Sequence, residues 1–444
     1  MRLARRYGIA LVALLLVWAT VLFFCSEKII NYDNTKSRSP VELVWWSKHM
    51  SWNYDEQRQC GIHTCRISNK RSRLPMARGV LFYGSNIKPG DFPLPRIKHQ
   101  IWALLHEESP RNTPLISNDE FLRHFHFTST FSRYSNFPLT TQYLPSGEAL
   151  TSKDYYVPFS GKSNFGYRPV TSVVFLQSDC DTMSGREDYV TELMKHVPID
   201  SFGSCLRNRD LPESLQKDYL NNLYSPELLR FLSEYKFMIA IENAACPDYI
   251  TEKFWRPLIM GVIPIYFGSP TIKDWQPNSK SAIFVNDFHN PQELVKYLNK
   301  LAGNQQLYDS YRQHKLNLRN PISNQNLLHN LVTRQYHIGD SSSGASLFEK
   351  FECAVCYHVI NTARNVKADS RHYNCPLEPV YAQLEGQEIP QNVADWRSMM
   401  EVGQCQAKLL DEFFRRNLSF TDAEFDAELN RRMEANSCNN SSNT

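Results

Sequence analysis

The stretch Lys236–Trp255, KFMIAIENAACPDYITEKFW, decides how this chain folds. Lys236 to Glu242 is an apolar run with one charge at each end, the pattern of a strand buried on both faces of a parallel sheet. Asn243 to Ile250 is small and polar and contains Pro247, which reads as a turn. Thr251 then caps a helical pattern that opens on the charged pair Glu252 and Lys253. Strand, turn and helix in this order make one unit of an α/β sheet. The turn lies at the carboxyl end of the strand, where such sheets bind ligands.

The same alternation extends outward from Val170. TSVVFLQ precedes the helical REDYVTELMKHV, PELLRFLSEY precedes the strand already described, TEKFWRPLIMG precedes VIPIYFG, and SAIFVND precedes PQELVKYLNKLA. These apolar strands between amphipathic helices predict a parallel sheet with crossover helices. Upstream, VELVWW (Val41 to Trp46), GVLFYG (Gly79 to Gly84) and HQIWALL (His99 to Leu105) predict strands of a first domain. The Ser/Gly/Lys-rich stretch Pro145–Pro169 reads as the linker, and a tail from Pro390 carries helices such as AKLLDEFFRR.

The chain has 444 residues, 42% apolar and 21% charged, with net charge +3, so neither disorder nor a nucleic-acid surface is indicated. Arg2, Arg5 and Arg6 precede an uncharged run, Tyr7 to Phe24. That run is long enough to span a bilayer, with the basic end in the cytosol and everything after it in a lumen. The organisation expected is a cytoplasmic tail 1–6, a transmembrane signal anchor 7–25, a stem 26–40, domains 41–165 and 166–345, and a disulfide-bearing C-terminal segment with a helical tail, 346–444. Ten of the 11 cysteines follow the anchor, and in an oxidising lumen they read as disulfides. Cys353 and Cys356 of CAVC read as structural bridges rather than a redox pair. N-glycosylation sequons at Asn417, Asn439 and Asn440 fit the same topology.

Three places carry candidate chemistry. At the helix start after Thr251, free N–H groups and Lys253 suit a diphosphate, while Glu242 and Asn243 suit sugar hydroxyls; the competing reading is a solvated first turn. In SDCDTMSGRED, Arg186 at a helix start suits phosphate oxygens, and Asp179 and Asp181 form an Asp-x-Asp that could hold a divalent metal; the alternative is a polar loop with a capping aspartate. In LLHEESP, Glu107 or Glu108 could take a proton from an acceptor hydroxyl, or form a solvated turn. Arg133, in FHFTSTFSRYSN, reads as the polar exit of a strand.

Taken together, KFMIAIENAACPDYITEKFWRPLIMGVIPIYFGSP resembles the donor-binding signature of the α1,3-fucosyltransferases, glycosyltransferase family ten. HEESP, TSTFSRYSNFPL, ELMKHVPIDSFGSCLRNRDLP, FECAVC and LVWWS are similar to its branch of fucosyltransferases ten and eleven, also called protein O-fucosyltransferases three and four. The resemblance implies an α/β GT-B fold of two facing Rossmann-like domains behind a signal anchor, and inverting transfer of fucose from GDP-fucose with no metal or other cofactor. Glu108 would then be the general base, and Arg186, Glu242, Asn243, Tyr249, Glu252 and Lys253 would hold the donor, with Phe202 and Gly203 near the guanine. The acceptor implied is a Ser/Thr hydroxyl of a disulfide-bonded extracellular domain of the elastin-microfibril-interface type, the enzyme being a single-pass type II protein of the endoplasmic reticulum. The alternatives are N-acetylglucosamine of N-glycans as acceptor, the Golgi as location, a metal-dependent transferase using Asp179 and Asp181, or a non-catalytic lumenal binding protein.

Overall fold

The computed structural model describes residues 40–47, 54–162, 172–216, 223–336, 346–361, 366–384, 386–435 and 437–438. The expected anchor and nearly all of the stem lie outside the described residues, as do Asn439 and Asn440. Among the described residues no helix is long and apolar enough to cross a membrane.

The first half is built on a six-stranded sheet of order β2-β3-β1-β4-β5-β6. Its strands are β1 (Val41–Trp45), β2 (Asp55–Cys60), β3 (His63–Ser68), β4 (Gly79–Tyr83), β5 (Ile101–His106) and β6 (Phe127–Thr130). β1, β4, β5 and β6 pair in parallel, whereas β2 and β3 form an antiparallel hairpin at one edge. That hairpin has no sequence counterpart among the strands expected, because DEQRQC and HTCRIS contain almost no apolar alternation. It is held instead by disulfides.

The second half is a five-stranded parallel sheet of order β11-β10-β9-β7-β8. It comprises β7 (Val173–Leu176), β8 (Ile199–Phe202), β9 (Phe237–Ile241), β10 (Ile263–Phe267) and β11 (Ile283–Phe284). Helices α1 (Arg186–Met194), α2 (Pro226–Ser233), α3 (Glu252–Met260) and α4 (Pro291–Ala302) run between and after these strands. Ser225 and Asn290 cap α2 and α4 through their side chains, each followed by proline at the first helical position. β11 is shorter than the run SAIFVND suggests, since Val285–Asp287 turns into a 3₁₀ helix at the sheet edge. A sheet parallel through β1, β4, β5 and β6 and a second, wholly parallel sheet are the α/β, GT-B-like architecture that the resemblance implies.

The C-terminal segment returns to the first half. α5 (Leu347–Asn361) packs on β2 to β5, and α6 (Gln391–Arg416) packs on the loops after β5, followed by α7 (Asp422–Glu434). The buried Glu352 of α5 accepts from Trp45 Nε1 at 2.7 Å and pairs with Arg58 at 3.0 Å. The ten cysteines beyond residue 25 form five disulfides: Cys60–Cys353, Cys65–Cys356, Cys180–Cys205, Cys246–Cys375 and Cys405–Cys438. The two cysteines of CAVC therefore bond the hairpin and not each other.

Two staples on one hairpin are partly redundant, because either alone keeps β2–β3 against α5. Replacing one pair by alanine should cost about 2–3 kcal/mol and replacing both more than twice that, by loop-closure entropy. The shift of the urea unfolding midpoint reads this difference.

Candidate active site

The turn between β9 and α3 is where the two halves meet. All five residues of β9 are buried, so the chain leaves the sheet with its direction set by packing. Thr251 ends the turn in extended backbone and accepts from Lys253 N at 3.3 Å, capping α3. Ala244, Cys246 and Tyr249 of the turn do not pack in the core of their own sheet. They join the apolar cluster of the first half with Phe82, Leu104 and Phe131.

Asp248 fixes this arrangement. It has φ +67°, a left-handed backbone that aspartate tolerates better than most residues. Its N–H donates to Ser269 Oγ and Thr271 Oγ1, each at 2.9 Å. Its carboxylate, 4% exposed, accepts from Thr271 Oγ1 at 2.7 Å and Trp275 Nε1 at 2.9 Å. Arg133, from the exit of β6 in the first half, adds Nε at 2.9 Å, the terminal NH₂ at 2.6 Å and its backbone N–H at 3.1 Å. Burial pushes the Asp248 carboxyl up, but the hydrogen bonds from Arg133, Thr271 and Trp275 outweigh it and hold it below the usual range. The Arg133 guanidinium also pairs with Asp274 at 2.9 Å and lies 4.7 Å from the Trp275 ring centroid.

Glu242 directly follows β9 and is fully buried. It accepts from Thr251 N at 2.8 Å and Thr251 Oγ1 at 2.6 Å, with Lys253 Nζ at 3.9 Å. Burial, resisted by Lys253, pushes it up to about 7. Gly268, in the YFGSP run after β10, packs on its side chain; a Cβ there would come within 2.6 Å of Glu242 Cγ, so this position admits only glycine. Lys253 Nζ lies 3.2 Å from Thr251 Oγ1 and 3.1 Å from Glu252 Oε1. Burial raises the Glu252 carboxyl, but Lys253 and Arg256 more than offset this and hold it below its ordinary value.

Opposite stands the loop after β5, where the adjacent carboxylates separate. Glu107 accepts from Tyr83 OH at 2.6 Å, on the first-half side. Glu108 accepts from Tyr249 OH at 3.3 Å, on the side of the turn. Burial pushes both carboxyls up; for Glu108 the nearby Lys253 opposes this and Glu252 adds to it. Glu108, Tyr249, Glu252, Lys253 and Glu242 thus form one cluster, drawn from both halves.

The remaining candidates lie at the other strand ends. Arg186 opens α1 and is 1% exposed. It donates to Asn243 Oδ1 at 2.7 Å, Ile241 O at 3.3 Å and Asp179 O at 2.6 Å, while its Nε has no hydrogen-bond acceptor among the described residues. Phe202 ends β8 with its ring in the core against Phe231 and Tyr235, and Gly203 follows at φ +87°. The two carboxylates of the Asp-x-Asp hold protein groups from other segments: Asp179 pairs with Arg111 at 2.6 Å, and Asp181 accepts from Trp396 Nε1 at 2.7 Å. Among the described residues no group of three or more His, Cys, Asp or Glu could hold a metal. Asn417 caps the C-terminus of α6 at φ +53°, its side chain accepting from Arg96 N at 2.5 Å.

Sequence reasoning missed Tyr143 and Tyr373. Tyr143 lies in the electrostatic field of Glu108, Glu252, Glu107 and Glu242, and burial followed by these charges raises its phenol well above 10. Tyr373 donates to the Glu108 carbonyl at 2.8 Å from 265 positions away, and no local signal marks it.

Arg133 is the cation on a buried carboxylate, so its loss strands a charge. Arg133→Leu should cost about 3–5 kcal/mol of stability. Arg133→Lys should recover only part of it, since one ammonium cannot reproduce the guanidinium's fork. Urea unfolding of the three proteins checks both statements.

Two family descriptions match the chain: "Fucosyltransferase, N-terminal" over residues 37–143 and "Glycosyltransferase family 10 (fucosyltransferase) C-term" over residues 168–367. The chain is 87% identical to Alpha-(1,3)-fucosyltransferase B of Drosophila melanogaster over 444 residues, 100% of both chains. It is 39% identical to GDP-fucose protein O-fucosyltransferase 3 of Homo sapiens over 396 residues, 86% of this chain and 81% of that one. A solved α1,3-fucosyltransferase with GDP has a TM-score of 0.42 at 15% identity, covering 74% of this chain and 93% of the other. With matches spanning both sheets and 81% to 100% of these two curated relatives, the chain belongs to the glycosyltransferase family 10 fucosyltransferases.

Proposed function

We propose that this fucosyltransferase moves L-fucose from GDP-fucose, with inversion, to a Ser/Thr hydroxyl of a disulfide-bonded extracellular protein domain. The observation that carries the reading is the Glu108 carboxylate of the first half, held at Tyr249 of the donor turn and in the field of Lys253. Glu108 takes the proton from the acceptor oxygen as that oxygen attacks C1 of fucose from the face opposite GDP. The C1–O bond to the diphosphate breaks, and the departing charge is met by Lys253 and by the positive end of the α3 dipole. Asn243 and Tyr249 bond sugar and ribose hydroxyls around that point, Glu252 orients Lys253, and Glu242, its two oxygens taken by Thr251, backs the turn instead of touching the donor. Arg186 orients Asn243 and keeps Nε for the donor. With the Phe202 ring in the core, contact with the guanine falls to the backbone at Gly203.

The protein acceptor is supported by 39% identity to a relative named as a protein O-fucosyltransferase. Within that class the acceptor is a domain of the elastin-microfibril-interface type. A second reading, α1,3-fucosylation of N-acetylglucosamine on N-glycans, is favoured by the name of the 87% identical relative. Product released by base-catalysed elimination and resistant to N-glycan removal supports the first; the opposite result supports the second. The reading includes domains 41–165 for acceptor and 166–345 for donor, activity without a metal, N-glycans at Asn417, Asn439 and Asn440, and a type II anchor at 7–25 in the endoplasmic reticulum membrane or, alternatively, the Golgi. Transfer unchanged in EDTA and protease protection of the body in intact microsomes test these parts.

Glu108→Gln should lower kcat by about 10²- to 10⁴-fold, the usual worth of a general base, while GDP-fucose still binds. A base works deprotonated and burial raises this carboxyl, so activity should fall with decreasing pH through a midpoint above the ordinary 4.5. A rate–pH profile of the purified lumenal body checks the sign.

A further inference from the structure

We infer that Tyr373 is a positioning residue for the Glu108 base, mounted on a segment that is tied covalently to the donor turn. The inference rests on the reading of Glu108 given above.

Tyr373 is fully buried, and its phenol donates to the backbone carbonyl of Glu108 at 2.8 Å. Its ring centroid lies 4.9 Å from that of Phe131 and 5.3 Å from that of His106, the last residue of β5. Phe131 in turn lies 5.1 Å from the Tyr249 ring, whose hydroxyl reaches the Glu108 carboxylate. One glutamate is therefore held at its main chain by one tyrosine and at its side chain by another, with Phe131 between the two rings.

The segment carrying Tyr373 is fixed independently. Two residues on, Cys375 is disulfide-bonded to Cys246 of the donor turn. Just before it, the carbonyls of Arg371 and His372 accept from Ser132 Oγ at 2.6 Å and Thr130 Oγ1 at 2.5 Å, at the exit of β6. The main chain under the base thus moves with the turn that holds the donor. A ring that only filled space would need no hydroxyl aimed at a backbone carbonyl in this interior.

Tyr373→Phe keeps the ring and removes the hydrogen bond. Misplacing a catalytic group by about 1 Å costs on the order of 10²-fold, so kcat should fall about 10- to 100-fold. The phenol touches the main chain of Glu108 and not its carboxylate. The acid-side midpoint of the rate–pH profile, the KM for GDP-fucose and the affinity for GDP should therefore stay unchanged, and retained GDP affinity also reports a folded variant. An unchanged kcat overturns the inference, and so does a kcat loss accompanied by loss of GDP affinity or a shifted midpoint. Glu108→Gln, run alongside, separates the two readings. If it retains full transfer, the base assignment falls and this inference with it; if it is inactive while Tyr373→Phe is fully active, this inference alone falls.

Discussion

The pairing of Arg133 with Asp248 is the constraint on which the rest of the site depends. A carboxylate in a left-handed turn, almost wholly removed from water, is tolerable only with a cation and neutral donors around it. The donors Thr271 and Trp275 come from the same half, but the cation comes from the other. The turn cannot leave the first half without stranding that charge. The carboxylate therefore does more than close a loop; it fixes the carboxyl edge of one sheet against the other sheet. Tyr249, the next residue, is thereby brought to Glu108.

Within that frame the carboxylates are sorted by their neighbours. Glu107 and Glu108 are adjacent in the chain, yet Tyr83 holds one and Tyr249 the other. Glu242 is buried behind Thr251, and Glu252 stays charged through Lys253 and Arg256. Burial thus raises the basicity of Glu108, while the carboxylate beside the lysine remains an anion. The Lys253 ammonium is likewise held in one orientation by Thr251 and Glu252.

Covalent ties reinforce the same geometry. The disulfides join segments that the chain order separates: the edge hairpin to α5, the β9–α3 turn to the segment carrying Tyr373. α6 adds noncovalent ties, with Trp396 bonded to Asp181 and Asn392 to Thr182 of the second half while the helix packs on the first. Acidic residues that resemble a metal motif in the sequence serve here as joints between segments. The C-terminal chain is not an appendage but the strap that spans both sheets.

The sequence by itself determined the alternation of buried strands and capped helices from Val170 onward, because strand burial and helix capping are written in consecutive residues. It also determined that the β9–α3 turn lies at the carboxyl edge of a parallel sheet, and the long motif there placed the chain in its family. It could not determine which of two adjacent glutamates faces that turn, what Arg133 does, or which cysteine meets which. Those depend on partners 115 positions apart for Arg133 and Asp248 and 265 for Tyr373 and Glu108. Only folding brings such groups within hydrogen-bond distance, since the energy that selects them comes from burying a charge or a ring between sheets and has no periodic trace along the chain.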